Sequence, residues 1–361
     1  MKRKVVVCPD SFKGSISSYD ACVAMEKGLF DCEVIKIPIA DGGEGTLDAV
    51  AKDVVTQNVT GPDGQKIFAR YGVSGGTAVV EMAEAAGLIK TVKKCAGTAT
   101  TYGVGELIKD ALSRGISEVL LTVGGSATND GGCGMMAALG VKFIGKNGQF
   151  VPTGFTLSDI EKIDISAVDT RLFDTKISIL TDVTNTMVGK NGATYVYGRQ
   201  KGATDDDLQL LERGMVHLAD VIEITCGKDV RNIAGSGAGG GIASMLIAFF
   251  DNVSIVSGID AVLDAIDFDK KIKGADLIVT GEGRLDAQSL QGKAISGVCR
   301  RAGDIPVYCV AGCVEGDREY LKSLGLEDIF VLTDICDDTD YCIANAGQLI
   351  TKIVDKIPRS C

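Results

Sequence analysis

Val119-Leu-Leu-Thr-Val123 runs without a break into Gly124-Gly-Ser-Ala-Thr-Asn-Asp-Gly-Gly-Cys-Gly134. The apolar, β-branched run reads as a buried strand. The glycine-rich stretch holds no bulky side chain, so its backbone can approach a charged ligand and adopt positive φ. Met135 to Leu139 then reads as a helix that stops at Gly140. A strand, a polar loop and a helix N-terminus in that order form a βα unit that can take an anion, with phosphate expected. A tight surface turn is the plainer alternative. Turns rarely place Thr128, Asn129 and Asp130 between two glycine pairs, however.

The same plan recurs on both sides. Val5 to Cys8 leads into Pro9-Asp-Ser-Phe-Lys-Gly14 and a helix carrying Ala21, Met25 and Leu29. Val34 to Ala40 leads into Asp41-Gly-Gly-Glu-Gly-Thr46 and an expected helix through Val54. Ile177 to Leu180 leads into Thr181-Asp-Val-Thr-Asn185. Leu277 to Thr280 leads into a loop, Gly281 to Ser289, and a helix to Ala302. Pro306 to Val310 and Asp328 to Leu332 read as further strands, and Tyr341 to Ile357 as a closing helix. Strands alternating with helices give an α/β fold with a mostly parallel sheet, whose ligands bind beyond the carboxyl ends of the strands. The unusual polar clusters fall at those ends. Short alternating runs between Gly64 and Val80 read as antiparallel strands. We therefore expect two domains: residues 1–62 plus 275–361 as a Rossmann-like parallel-sheet domain built from both chain ends, and 63–274 as an inserted α/β domain.

The 361 residues suit two domains, and 45% hydrophobic with 24% charged residues suits a globular core. Forty-six glycines against six prolines mean many tight turns. No tryptophan, 5% aromatics and a net charge of -11 argue against nucleic acid or an anionic membrane as partner. The twelve cysteines lack CxxC pairs, and the apolar run after Lys2-Arg-Lys4 is too short for a signal segment. They read as reduced core thiols of a cytoplasmic protein.

His217, the lone histidine, sits in a helical stretch beside Met215 and Leu218 and reads as a surface or packing residue. Proton transfer then falls to carboxylates. Asp10, Asp41, Glu44, Asp130, Asp182, Glu282 and Asp286 all stand at strand ends. Some read as helix caps, but so many in one cleft would repel unless Mg²⁺ lay among them. Lys13, Arg284, Lys293 and Lys201 lie near the same glycine loops, which suits phosphoryl transfer. The GxxxxGK[ST] pattern is absent. GxGxxG occurs at Gly235 to Gly240, but Asp229, Arg231 and Asn232 stand where its strand should be.

Six strings together resemble the bacterial-type glycerate kinases of type I: PDSFKGS (Pro9 to Ser15), ADGGEGT (Ala40 to Thr46), GGSATNDGGCG, DVTN (Asp182 to Asn185), GATYVYGRQKGA (Gly192 to Ala203) and TGEGRLDAQSLQGK (Thr280 to Lys293). The resemblance implies a flavodoxin-like domain plus an inserted α/β domain, and ATP-dependent phosphorylation of D-glycerate, generally to 2-phosphoglycerate, in a Mg²⁺-dependent cleft between the domains. Thr186-Met187, Arg199, Ala234 and Ile295 depart from the family pattern, while most polar positions are intact.

On that reading Gly124, Gly125, Ser126, Thr128, Asn129, Asp130 and Lys201 bind nucleotide phosphate. Asp10, Ser11, Lys13, Arg284, Ser289 and Lys293 bind substrate. Asp41, Glu44 and Asp182 hold Mg²⁺. Lys13 and Arg284 also act on the moving phosphoryl group, and Asp286 is the expected base with Asp182 second. A nicotinamide-dependent oxidoreductase and a non-catalytic small-anion sensor are the alternatives. The oligomeric state stays open, with a homodimer as one option.

Overall fold

The computed structural model describes residues 2–286, 294–323 and 325–358. The chain divides into two compact units, Met1–Val50 with Ser257–Cys361, and Ala51–Val256.

The first unit holds a five-stranded sheet in the order Glu33–Lys36, Lys4–Pro9, Leu277–Leu285, Val307–Val314, Asp328–Val331. Every neighbouring pair is parallel. Numbered along this unit's own strands the order is 2-1-3-4-5, the flavodoxin-like arrangement, with its reversal between the first and third strands. Val5 to Cys8 are fully buried, as a parallel strand covered on both faces requires. Helix Ser18–Gly28 starts where Ser17 Oγ accepts from Asp20 N at 3.1 Å, and it carries Ala21, Cys22 and Met25 into the core. The strand at Leu277 does not end at Thr280 as expected. It continues to Leu285, because Glu282 and Arg284 keep register with Ala311 and Cys313. The expected closing helix is two, Thr339–Ala344 and Ala346–Val354. Asn345 separates them, its Nδ2 donating to Tyr341 O at 2.9 Å in competition with the backbone.

The second unit holds a six-stranded sheet in the order Val253–Val256, Lys176–Leu180, Glu118–Thr122, Thr77–Glu81, Lys66–Ser74, Asp53–Thr60. The first four strands are parallel and the last two antiparallel. This order follows the chain without reversal. A small antiparallel sheet of Gly148–Phe150, Lys142–Gly145 and Lys162–Asp164 accompanies it.

The chain passes between units at 50–51 and 256–257, where the sequence placed the joins near 62 and 275. The helix expected through Val54 ends at Val50, and Asp53–Thr60 is a strand paired along its length with Lys66–Ser74. Its β-branched Val54, Val55, Thr56 and Val59 suit a strand, and its hairpin partner fixes the unit to which it belongs. After 257, helices Gly258–Ala265 and Phe268–Lys271 belong to the first unit.

His217 lies on helix Asp205–Cys226, its Nε2 2.7 Å from Ile160 O, a packing role as expected. All eleven described cysteines are free thiols, and burial raises those of Cys8, Cys133 and Cys309 well above the usual range. Among the described residues no helix is long and apolar enough to cross a membrane.

Candidate functional site

In the first unit the carboxyl ends of Lys4–Pro9 and Leu277–Leu285, the two strands at the order reversal, open into a cavity of about 320 Å³. Pro9 pairs with Gly281, and Asp10 N donates to Gly281 O at 2.8 Å, so both loops leave the sheet at one level. Asp10, Ser11, Lys13, Asp41, Arg284 and Asp286 all line this cavity. The volume matches the lower end of small-molecule sites.

Asp10 is 7% exposed, the one buried carboxylate among the cavity's described lining residues. Burial, with the Asp41 charge added, pushes its carboxyl up to about 7, against the pull of Ser11 and Lys13. Ser11 N donates to Asp10 Oδ1 at 2.6 Å, which fixes the carboxyl at the strand end. Asp41 accepts from Gly43 N at 3.0 Å and is half-buried. Lys13 and Arg284 are exposed at the rim, and Arg284 pairs with Glu315. The cavity therefore has cations outside and a protonatable acid within.

The second unit has a smaller hollow, about 140 Å³, also beyond strand carboxyl ends. Gly124, Gly125 and Ser126 follow strand Glu118–Thr122, and Thr181 and Val183 follow Lys176–Leu180; both loops line it. Lys201 and Gly239 also line it.

Only the first third of the glycine-rich loop faces this hollow. The rest turns inward, which corrects the expectation that its helix N-terminus receives phosphate. Asp130, fully buried, accepts from Thr101 N and Thr101 Oγ1, both at 2.8 Å, from Gly132 N at 3.1 Å and from Gly134 N at 3.3 Å. Met135 N donates to Thr101 Oγ1 at 2.8 Å. The anion at the start of helix Cys133–Ala138 is thus the chain's own carboxylate. Asn129 is fully buried, with Nδ2 3.2 Å from Thr194 Oγ1. Thr128 Oγ1 and Asn129 Oδ1 are buried without a hydrogen-bond partner among the described residues. Each orphaned atom costs roughly 1–3 kcal/mol, so the loop's shape is held against local preference.

What holds it is the segment read as a dinucleotide fingerprint. Gly131 N donates to Gly240 O at 3.0 Å. A Cβ on Gly240, at φ +77°, would stand 2.1 Å from Thr128 O. These glycines let two backbones touch. The element before them is helix Asp205–Cys226 rather than a strand, and strand Val253–Val256 comes after their helix, so the oxidoreductase alternative loses its structural support.

Lys201 lies behind the exposed rim, 2% exposed, with Nζ donating to Ser126 Oγ and Thr128 O, both at 2.8 Å. Burial pushes its ammonium down to about 7, with the Asp130 charge pulling the other way.

Of the residues expected in the site, Asp10, Ser11, Lys13, Asp41, Arg284 and Asp286 share the first hollow, and Gly124, Gly125, Ser126 and Lys201 the second. Glu44 is exposed and stands outside the first hollow's lining. Asp182 is exposed between two residues that line the second. Ser289 and Lys293 lie outside the described residues. Among the described residues no three His, Cys, Asp or Glu side chains group closely enough to enclose a metal ion. Sequence reasoning missed the apolar wall of the first hollow, Leu332, Cys342, Ile343 and Ala346. The carboxyl end of strand Asp328–Val331 was the available signal.

The Glycerate kinase family model matches residues 5–361. A glycerate kinase of Bacillus cereus is 43% identical, covering 91% of this chain and 90% of its own length. The glycerate 2-kinase of Escherichia coli is 40% identical over 92% of this chain and 91% of its own. The crystal structure of a Salmonella typhimurium protein assigned as glycerate kinase 2 superposes with a TM-score of 0.88 at 36% identity, covering 99% of this chain and 97% of that one.

Proposed function

The chain belongs to the glycerate kinase family, and on that premise we propose that it transfers the γ-phosphoryl group of ATP to a hydroxyl of D-glycerate, giving 2-phosphoglycerate. One observation supports this most: the first hollow gathers Lys13, Arg284, Asp10, Asp41 and Asp286 at the order reversal of a parallel sheet. That set suits a small hydroxy acid.

Lys13 and Arg284 take the glycerate carboxylate or the moving phosphoryl group, the guanidinium by bidentate contact. Asp10, which holds a proton near neutrality, and Ser11 hydrogen-bond the hydroxyl end. Asp286 accepts the proton of the attacking hydroxyl, with Asp182 the second candidate. Ser289 and Lys293 remain substrate ligands by resemblance. In the second hollow the backbone at Gly124 and Gly125, the Ser126 hydroxyl and Lys201 hold nucleotide phosphate. Asp130, Thr128 and Asn129 shape that surface from behind.

The residues of the first hollow fit a hard cation. The Asp41 charge raises the cost of ionising Asp10 there, and only a few protein carboxylates are required when phosphates and water supply the rest of a Mg²⁺ shell. Asp41 and, beside the second hollow, Asp182 are the candidate ligands; exposed Glu44 is a weaker one. Mg²⁺ when bound would neutralise phosphate charge. Free thiols and the need for ATP suit a cytoplasmic setting.

The test is direct. Incubation with ATP, Mg²⁺ and D-glycerate should release ADP in a coupled assay and yield 2-phosphoglycerate by phosphorus NMR. ADP release without glycerate dependence would defeat the reading. A 3-phospho product would correct the regiochemistry alone.

A further inference from the structure

Lys201 Nζ meets only neutral oxygens, Ser126 Oγ and Thr128 O at 2.8 Å each, and no ion pair reaches it among the described residues. Its neighbour Arg199 is turned to exposed Asp205 at 2.5 Å. Asp130 is the one charge that registers on it among the described residues, and that carboxylate is committed to Thr101, Gly132 and Gly134. A lysine so dry, with neutral partners, favours its uncharged form. It nevertheless lines the hollow, beside Gly124, Gly125 and Ser126, where an anion would be its missing counter-charge.

We propose that an anionic phosphate group entering the second hollow is bound together with a proton that Lys201 takes from solvent. Lys201 is a neutral amine in part of the unliganded population and an ammonium in the complex. This rests on reading the hollow as a nucleotide phosphate site, and it adds how that site balances its charge. The free lysine's midpoint near 7 sets the window. Well below that pH it is already charged and no proton is taken up; above it, uptake grows.

ADP is titrated calorimetrically into the full chain at about pH 8, without divalent cation, in two buffers of different ionisation enthalpy. ADP's own phosphates are fully ionised there. The expected result is a buffer-dependent heat equal to most of one proton taken up per ADP, fading toward pH 6. Binding with the same heat in both buffers overturns the proposal and leaves the nucleotide reading intact. No binding at all removes both. Lys201→Arg, which cannot lose its proton, should bind ADP without proton exchange; persistent uptake in that variant overturns the assignment. Should that variant fail to fold, NMR of ¹³Cε-labelled lysine in the native chain decides. A resonance with a depressed midpoint should titrate higher once ADP is bound, and an unmoved midpoint overturns the proposal.

Discussion

The two hollows solve the same problem by opposite means. In the first unit the strand order reverses, so neighbouring loops part and a crevice follows from topology alone. Side chains at the strand ends supply its chemistry, and most are half-buried or exposed. In the second unit the strand order never reverses, and no crevice comes free. There the surface is backbone, shaped by glycines, an internal carboxylate and a buried lysine. The first unit can therefore lose a site residue and keep its fold. The second cannot.

The sharpest test of that contrast is Asp286→Asn. Removing the proposed base should lower kcat by roughly 100- to 10,000-fold in a coupled assay, with an unchanged denaturation midpoint. Near-normal turnover would reject Asp286 as base. In the second unit Asp130→Ala strips the acceptor from buried donors and should cost about 3–5 kcal/mol in urea unfolding. A loss below 1 kcal/mol would show that the loop does not depend on its internal anion.

Asp10→Asn should do the reverse. The folded carboxyl is raised to about 7 against an ordinary 3.8, so the unfolded chain binds fewer protons between those values and stability falls as pH rises through them. Asn removes that penalty, gaining on the order of 2–4 kcal/mol at pH 8 and nothing below pH 3.5. A pH-independent effect would mean the carboxyl ionises normally. Gly240→Ala, at positive φ and against Thr128 O, should cost about 1–3 kcal/mol and weaken ADP binding, whereas Gly303→Ala, also at positive φ but with open space around it, should leave ADP binding unchanged. Arg284→Lys has the smallest expected effect: it keeps the charge but loses the fork, and KM for glycerate should rise about tenfold at unchanged stability.

Much of this was legible in the chain. Val119 to Gly134 announced a strand, a loop and a helix, and the parallel sheet followed from the repetition of that plan. The strand ends that carry Asp10, Lys13 and Arg284 were also readable, because a polar cluster directly after a β-branched run marks a carboxyl end. Asp53–Thr60 was not, since its state is set by a partner strand rather than by its neighbours in the chain.

The sequence by itself determined the α/β plan and the strand ends at which polar chemistry gathers, because periodicity and turn composition are local properties. Only the tertiary structure decided that Asp130 looks inward while Ser126 and Lys201 line the hollow. Their donors and walls come from Thr101, Gly240 and each other, far apart along the chain, and burial belongs to those distant contacts rather than to the residue.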